Sequence, residues 1–425
     1  MIFLLTITYV MLTFLSPAEV MPALAPFRPM IILSGLGLLA AILTIPLNQL
    51  AWRSPQPVLL ALFIGMLMAS RLLNGWPGGV PLAFMAFMPA AACFYLTIGT
   101  IDSLRKIQLT AAGLLVVGLY FNTMGILSFH GYIHDERFLF EQTIRIDPET
   151  ETAERIIRMK AVGIMDDPND FAQFLLLLIP LLWLWKGGWL WNFFTIWLPS
   201  MYLLYGIYLT RSRGALVGLA VILLLVLRQR LGNVASAFMT FFLVVGMLAV
   251  GFTGGRSVSI GSGSDRLSLW SEGIGMFKSS PLWGIGYQGF ADHAGLTAHN
   301  SLMQCLAETG LLGYFFWLAL VIINIFFLNQ LLAPDRQPAL PPDLVKSARA
   351  VALAFYAFLA TSWFLSRAYN PALYLFLGLT VVLHRLAFES QPGFVPFVLP
   401  HRWAVLVGGT ALASIAFFYV VVNLR

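Results

Sequence analysis

Four side chains in the middle of this chain have the chemistry to handle a phosphorylated substrate: Arg211, Arg213, Arg266 and His299. Arginine meets phosphate through a planar, bidentate fork that lysine cannot reproduce. Histidine ordinarily titrates near neutral pH, which suits it to take a proton from an attacking hydroxyl. Arg211 and Arg213 stand in Leu209-Thr210-Arg211-Ser212-Arg213-Gly214-Ala215, where one apolar run ends and the next begins. Arg213 directly precedes that second run, so the field of a helix N-terminus would favour an anion there. Arg266 lies in Ser264-Asp265-Arg266-Leu267-Ser268-Leu269-Trp270-Ser271-Glu272-Gly273, whose aromatic and small residues suit an interfacial helix. His299 stands where a polar loop gives way to the apolar segment Asn300–Gly313. An imidazole at such a boundary can meet a lipid-linked substrate whose head is wet and whose tail is buried.

Each residue also has an ordinary role open to it. The arginines of the 211–213 corner can snorkel to lipid headgroups. Arg266 can form a surface ion pair with Asp265 or Glu272. A boundary histidine is often structural, and Asn300 and Ser301 are good helix caps. Helical spacing puts His299, Leu302, Leu306, Gly310 and Gly313 on roughly one stripe, and the two glycines would let a second helix approach. Glu308 falls about 13 Å deeper at ~1.5 Å per residue. A carboxylate inside a membrane is costly and is normally paired, so Arg367 or polar backbone is its expected partner. Gly284-Ile285-Gly286-Tyr287-Gln288-Gly289 matches GxGxxG, but no strand–helix unit surrounds it. Those glycines read as tight turns.

These residues must be positioned by membrane helices. The 425 residues are 59% hydrophobic and 10% charged, against about 25% charged in soluble domains. The apolar runs are continuous rather than alternating, which excludes a β-barrel. They fall near 2–16, 30–48, 57–72, 80–99, 108–128, 171–185, 189–209, 214–228, 235–252, 300–330, 350–366, 370–384 and 403–422. The expected fold is an all-α polytopic membrane protein with about 12 or 13 spans. The net charge of +6 reports loop topology, not a nucleic-acid partner. Cys93 and Cys305 lie in apolar runs, and no cluster has zinc-ligand spacing. The N-terminal run reads as an uncleaved first helix.

Basic residues in short loops (Arg53, Arg105 and Lys106, Lys186, Arg228 and Arg230, Arg336, Lys346 and Arg349, Arg385, Arg402) mark the cytoplasmic side. The count then puts two long loops, 129–170 and 253–298, on the extracytoplasmic face. Arg211, Arg213, His299 and Arg367 share that face. The chain divides into N-terminal helices 1–128, the first loop 129–170, helices 171–252 carrying the arginine corner, the second loop 253–298, and C-terminal helices 299–425. The first loop holds ten of the 19 acidic residues. Gln142–Ile146 and Ala153–Val162 flank Asp147-Pro148-Glu149-Thr150, a turn signal, so a small hairpin or a hairpin plus a helix is expected. The loop ends in Asp166-Asp167-Pro168-Asn169-Asp170, where Asn169 or Asp170 is the expected cap of the next helix. The alternative for this cluster is a sugar-hydroxyl or cation site at the membrane surface.

Taken in order, Thr210-Arg211-Ser212-Arg213-Gly214-Ala215, Arg266 with Trp270, Pro281-Leu282-Trp283-Gly284-Ile285-Gly286, and His299-Asn300 through Gly313 resemble the O-antigen ligase and Wzy-type polymerase superfamily. Asp167-Pro168-Asn169-Asp170 resembles a further block of the group. The likeness covers roughly residues 165–315. It implies a GT-C-like helical glycosyltransferase in a bacterial inner membrane, active on the periplasmic side. The implied donor is a glycan on undecaprenyl diphosphate, and the implied acceptor is another glycan, a lipid A core or a protein side chain. Carried over by motif, Arg213 and Arg266, with Arg211 secondary, would hold the diphosphate. His299 would orient or deprotonate the acceptor hydroxyl. Asn300, Glu308, Asp170 and Arg367 are possible supports. No cofactor or metal is called for if the arginines supply the positive charge. Two other classes stand beside this reading: a transporter or flippase of lipid-linked sugars, which would need polar groups deep in the bundle, and a non-catalytic assembly protein.

Overall fold

The computed structural model describes residues 2–146, 153–249, 260–333, 340–391 and 393–424. The turn expected at 147–150 and most of the proline-rich linker at 334–342 lie outside the described residues. Helices of ten residues or more are numbered in chain order: α1 Ile2–Leu15, α2 Pro29–Leu43, α3 Pro55–Leu73, α4 Gly79–Thr100, α5 Leu104–Phe129, α6 Pro168–Leu181, α7 Leu198–Thr210, α8 Arg213–Ala249, α9 Ile260–Ser279, α10 Ser301–Leu332, α11 Pro342–Ser362, α12 Pro371–Ser390 and α13 Trp403–Asn423. Short helical turns extend α6 to Trp185 and lead into α7 from Trp189.

Proline explains several of these starts. It opens α2, α3, α6, α11 and α12. The first helical residue has no intrahelical use for its N–H, and proline's fixed φ suits that position.

Among the described residues, ten helices are long and apolar enough to cross a membrane. The chain is a multi-pass, all-α membrane protein. Hydropathy alone suggested 12 or 13 runs, and the difference has two sources. Helices α1 and α2 have 14 and 15 residues, short of the roughly 20 a crossing needs. The runs 214–228 and 235–252 are joined into one 37-residue helix, kinked at Gly232 with φ 75°.

Arg213, at the start of α8, lies within electrostatic reach of Arg266, and Arg266 within reach of His299. The start of α8 and the start of α10 are therefore at one end of the bundle.

Helix α12 sits at the centre, with nearly all of its residues enclosed, while α13 is largely exposed. Outside the bundle, β1 Leu139–Ile146 pairs antiparallel with β2 Ala153–Met159, Leu139 opposite Met159. This is the hairpin expected in the first long loop. It docks on α5 through buried Met159, whose sulfur would lie 2.6 Å from a Cβ at Gly125. The bare backbone at Gly125 lets the hairpin settle that close.

Candidate active site

Arg211 and His299 are built alike. Both are non-glycine residues held in the left-handed region, φ 52° and φ 48°. That conformation costs about 1–3 kcal/mol in a non-glycine residue and persists only where the surroundings impose it. Arg211 caps α7 with its N–H on the Tyr208 carbonyl. Its neighbours Thr210 and Ser212 are fully buried. The Thr210 carbonyl accepts from Arg158 Nε at 2.9 Å, and Ser212 Oγ accepts from the Ala215 N–H. His299 likewise stands between two pinned residues. The Ala298 carbonyl accepts from Trp270 Nε1 at 3.2 Å. Asn300 Oδ1 accepts from the N–H groups of Leu302 and Met303 at 2.9 and 3.0 Å, and its Nδ2 donates to the Trp363 carbonyl at 3.0 Å. Asn300 is thus the cap of α10, and the turn it anchors sets the direction of the His299 side chain.

The segment 363–370, between α11 and α12, gathers the remaining pieces. The Arg266 guanidinium lies 5.5 Å from the Phe364 ring centroid, the geometry of a cation–π contact. Phe364 in turn borders Gly214, next to Arg213. Ser301 Oγ donates to the Leu365 carbonyl at 2.7 Å and accepts from the Arg367 N–H at 2.8 Å. Arg367 Nε donates to Asp170 Oδ1 at 2.7 Å, and a second contact joins Arg367 Nη2 to Asp170 Oδ2. Asp170 is buried, so this pair locks the start of α6 to the 363–370 segment. Apart from Arg367, nothing in the sequence marked that segment. Asp167, not Asn169 or Asp170, caps α6, accepting from the Asn169 N–H at 2.7 Å. Asn169 is occupied with Arg158, whose Nη2 donates to its Oδ1 at 3.0 Å. Proline at 168 makes the preceding residue the natural cap, because residue 167 is held extended.

The electrostatics of the cluster are uneven. Burial, and then the neighbouring Arg213 charge, push the Arg266 guanidinium down from its ordinary value. Among the described residues no carboxylate pairs with it: the expected partner Glu272 does not, and the Asp265 side chain lies outside them. Two like charges within electrostatic reach of one another in a half-buried site favour an anion near both. Burial, then Arg266, also lower His299, while Asp167 opposes them. The net lowering favours the neutral imidazole, the form able to accept a proton.

Three expectations are decided in the structure. Of the two partners expected for Glu308, Arg367 is taken by Asp170 and polar backbone is the one found: the Glu308 carboxylate accepts from the Phe290 N–H at 3.2 Å, and Tyr369 faces it. Nor do Gly310 and Gly313 form a helix-packing stripe. Gly310 breaks α10, with φ 63° and ψ −167°, and a Cβ at Gly313 would meet its own helix at Thr309. The break receives the loop after α9: Leu311 and Leu312 N–H donate to the Pro281 and Leu282 carbonyls, and Ile285 and Gly286 N–H donate to those of Ala307 and Glu308. Gly284 and Gly310 touch backbone to backbone, each leaving only about 2.3–2.5 Å for a Cβ. Third, Glu308 is not deep in a straight span. Its loop bonds to Asn74, just past the end of α3 (Asn74 Nδ2 donates to the Gly284 carbonyl at 2.8 Å). Residues 311–332 alone span about 33 Å at ~1.5 Å per residue, enough to cross a bilayer. The GxGxxG glycines do serve as turns, Gly284 and Gly286 at φ 70° and 109°.

Residues 198–318 match the O-antigen ligase family. The matched stretch runs from the start of α7 to just past the break in α10. It contains Arg211, Arg213, Arg266, His299 and Glu308, and leaves out Asp170 and Arg367. Exopolysaccharide production protein ExoQ of Rhizobium meliloti (strain 1021) is 34% identical over 119 residues, 22% of this chain and 27% of that protein. The chain thus aligns with about a quarter of that relative's length.

Proposed function

We propose that this protein is a membrane glycosyltransferase of the ligase or polymerase type. It moves a glycan from undecaprenyl diphosphate to an acceptor hydroxyl on the extracytoplasmic face of a bacterial inner membrane. The observation that carries the reading is the meeting of Arg213, Arg266 and His299 at one end of the bundle, with Arg266 and His299 in electrostatic contact. In the reaction the acceptor oxygen bonds to the anomeric carbon, and the bond from that carbon to the diphosphate oxygen breaks. The electron pair leaves with the diphosphate, so negative charge grows where the arginines stand. Fixed charges that bind the leaving group better in the transition state lower the barrier. The hydroxyl proton passes to neutral His299, or His299 orients the hydroxyl as it is lost. Arg211, held in its strained turn, borders the same anion. Asp170, Arg367 and Asn300 position the two helix starts. The relative's role in exopolysaccharide production favours a growing glycan over a lipid A core as acceptor.

The test is a transfer assay with purified protein and a polyprenyl-diphosphate glycan. Glycan transfer by the wild type, lost in Arg213→Lys and His299→Ala proteins that still bind donor lipid, supports the reading. Binding or movement of the donor without transfer would return the protein to the transporter class. Reporter fusions at the exposed residues Tyr132 and Leu296 test the face. Activity there as a cytoplasmic reporter would invert the assignment.

A further inference from the structure

At the opposite end of the bundle, a cavity of about 700 Å³ opens between the end of α6, the middle of α8 and the start of α11. Its inner wall is apolar, with Leu225, Val226 and Leu353. Its mouth is cationic, formed by Lys186, Arg230, Lys346 and Arg349. The one carboxylate there, Asp343, is taken by Lys346 at 2.8 Å. Lys186, Arg230 and Arg349 have no carboxylate partner among the described residues. Arg349 Nε is buried with no hydrogen-bond acceptor, and Lys186 Nζ stands 5.5 Å from the Trp183 ring centroid. The volume falls in the range of small-ligand sites, about 300–1,000 Å³.

Snorkelling explains long cations at a helix end. It does not explain why they ring an open chamber, or why a guanidinium nitrogen is buried without an acceptor, an arrangement that is costly when unfilled. An occupant must bring an anion to the mouth and hydrocarbon to the wall. Basic pockets between transmembrane helices bind anionic lipid headgroups on these terms.

We infer that this cavity binds an anionic phospholipid, with its phosphate on Lys186, Arg230 and Arg349 and an acyl chain against Leu225, Val226 and Leu353. The site is remote from His299 and stands independently of the proposed transfer reaction.

Thermal unfolding of the full-length protein in neutral detergent, with added lipid, tests the inference. Phosphatidylglycerol should raise the midpoint by several degrees, at concentrations at least tenfold below any at which phosphatidylcholine does so. The shift should weaken with salt, because surface charges are screened. Arg230 is exposed, so Arg230→Gln removes charge without removing packing. That variant and Lys186→Gln should lose most of the shift, and Arg230→Lys should restore part of it. Val226→Phe, which fills the chamber and keeps every cation, should also lose it. Equal shifts with phosphatidylcholine, or an undiminished shift in Arg230→Gln and Val226→Phe, would overturn the inference. The same shift with inorganic phosphate alone would also overturn it, by pointing to a free anion as the ligand.

Discussion

Gly310 and Gly232 both break long helices with a positive φ, at opposite ends of the bundle, yet their surroundings differ. A Cβ at Gly310 would lie about 2.4–2.5 Å from the backbone of Leu282, Trp283 and Gly284, whereas nothing lies within 4 Å of one at Gly232. The cations at the two ends follow the same division. Near His299, Arg158 and Arg367 are tied to named acceptors, and Arg211 and His299 are forced into strained turns between buried neighbours. Around the opposite cavity, Lys186 and Arg230 rest on long, solvated stems. One end spends conformational freedom to hold charges in a fixed geometry. The other gathers charge with little constraint. On the proposed function, departure of a diphosphate would reward fixed geometry at the first end, while the lipid headgroup inferred at the second would need chiefly charge.

The comparison breaks most sharply at the helix breaks. Gly310→Ala should abolish recovery of folded protein, because strain and a backbone clash act together. Size-exclusion profiles of the detergent-extracted variant read this, and a well-folded Gly310→Ala would mean the loop does not depend on the break. Next in size is His299→Ala, expected to lose about 10²–10⁴-fold in transfer rate with folding intact. His299→Gln should stay folded with little activity, since an amide cannot take the proton. A nearly wild-type Gln variant would reduce His299 to a hydrogen-bonding role.

The pH profile sharpens the same point. His299 is lowered from an ordinary value near ~6.5 by burial and Arg266, so its neutral form persists further into acid. Transfer should therefore hold as pH falls to about 6.5 and drop only below it. An acid limb centred above the ordinary histidine value would assign it to another group. Asp170→Asn should destabilise by about 3 kcal/mol, because it leaves Arg367 buried without its charge partner. Thermal unfolding measures this, and an unchanged midpoint would remove the pair from the scaffold of the site. Arg213→Lys should cost about 10²-fold in transfer, with folding unchanged. Equal activity would show that charge alone suffices at that end too. The smallest effect should come from Gly232→Ala, about 1–3 kcal/mol of backbone strain with no clash, read as a modest drop in unfolding midpoint.

Much of this molecule was legible in the chain because it depends on local rules. Continuous apolar runs dictate membrane helices, since no other open structure satisfies the backbone in lipid. Proline marks five helix starts, and the turn signal at 147–150 lies between two segments that pair as strands. The arginine corner announced itself as charge where orientation did not require it, and His299 as a titratable group where a polar loop meets an apolar helix. What the sequence could not disclose depends on residues far apart in the chain. Helical periodicity gave no sign that α10 is broken, because a glycine fits both a packing stripe and a kink. Only the approach of residues 281–286 decides between them. The carboxylates near the site exchanged their expected roles for a similar reason. Asp167 rather than Asp170 caps α6, Asp170 rather than Glu308 holds Arg367, and Glu308 holds the inserted loop. Composition determined that these charges need partners. Tertiary structure alone, through the 363–370 segment and the hairpin's Arg158, decided which ones they have, because a buried ion's partner is chosen by proximity in space, not along the chain.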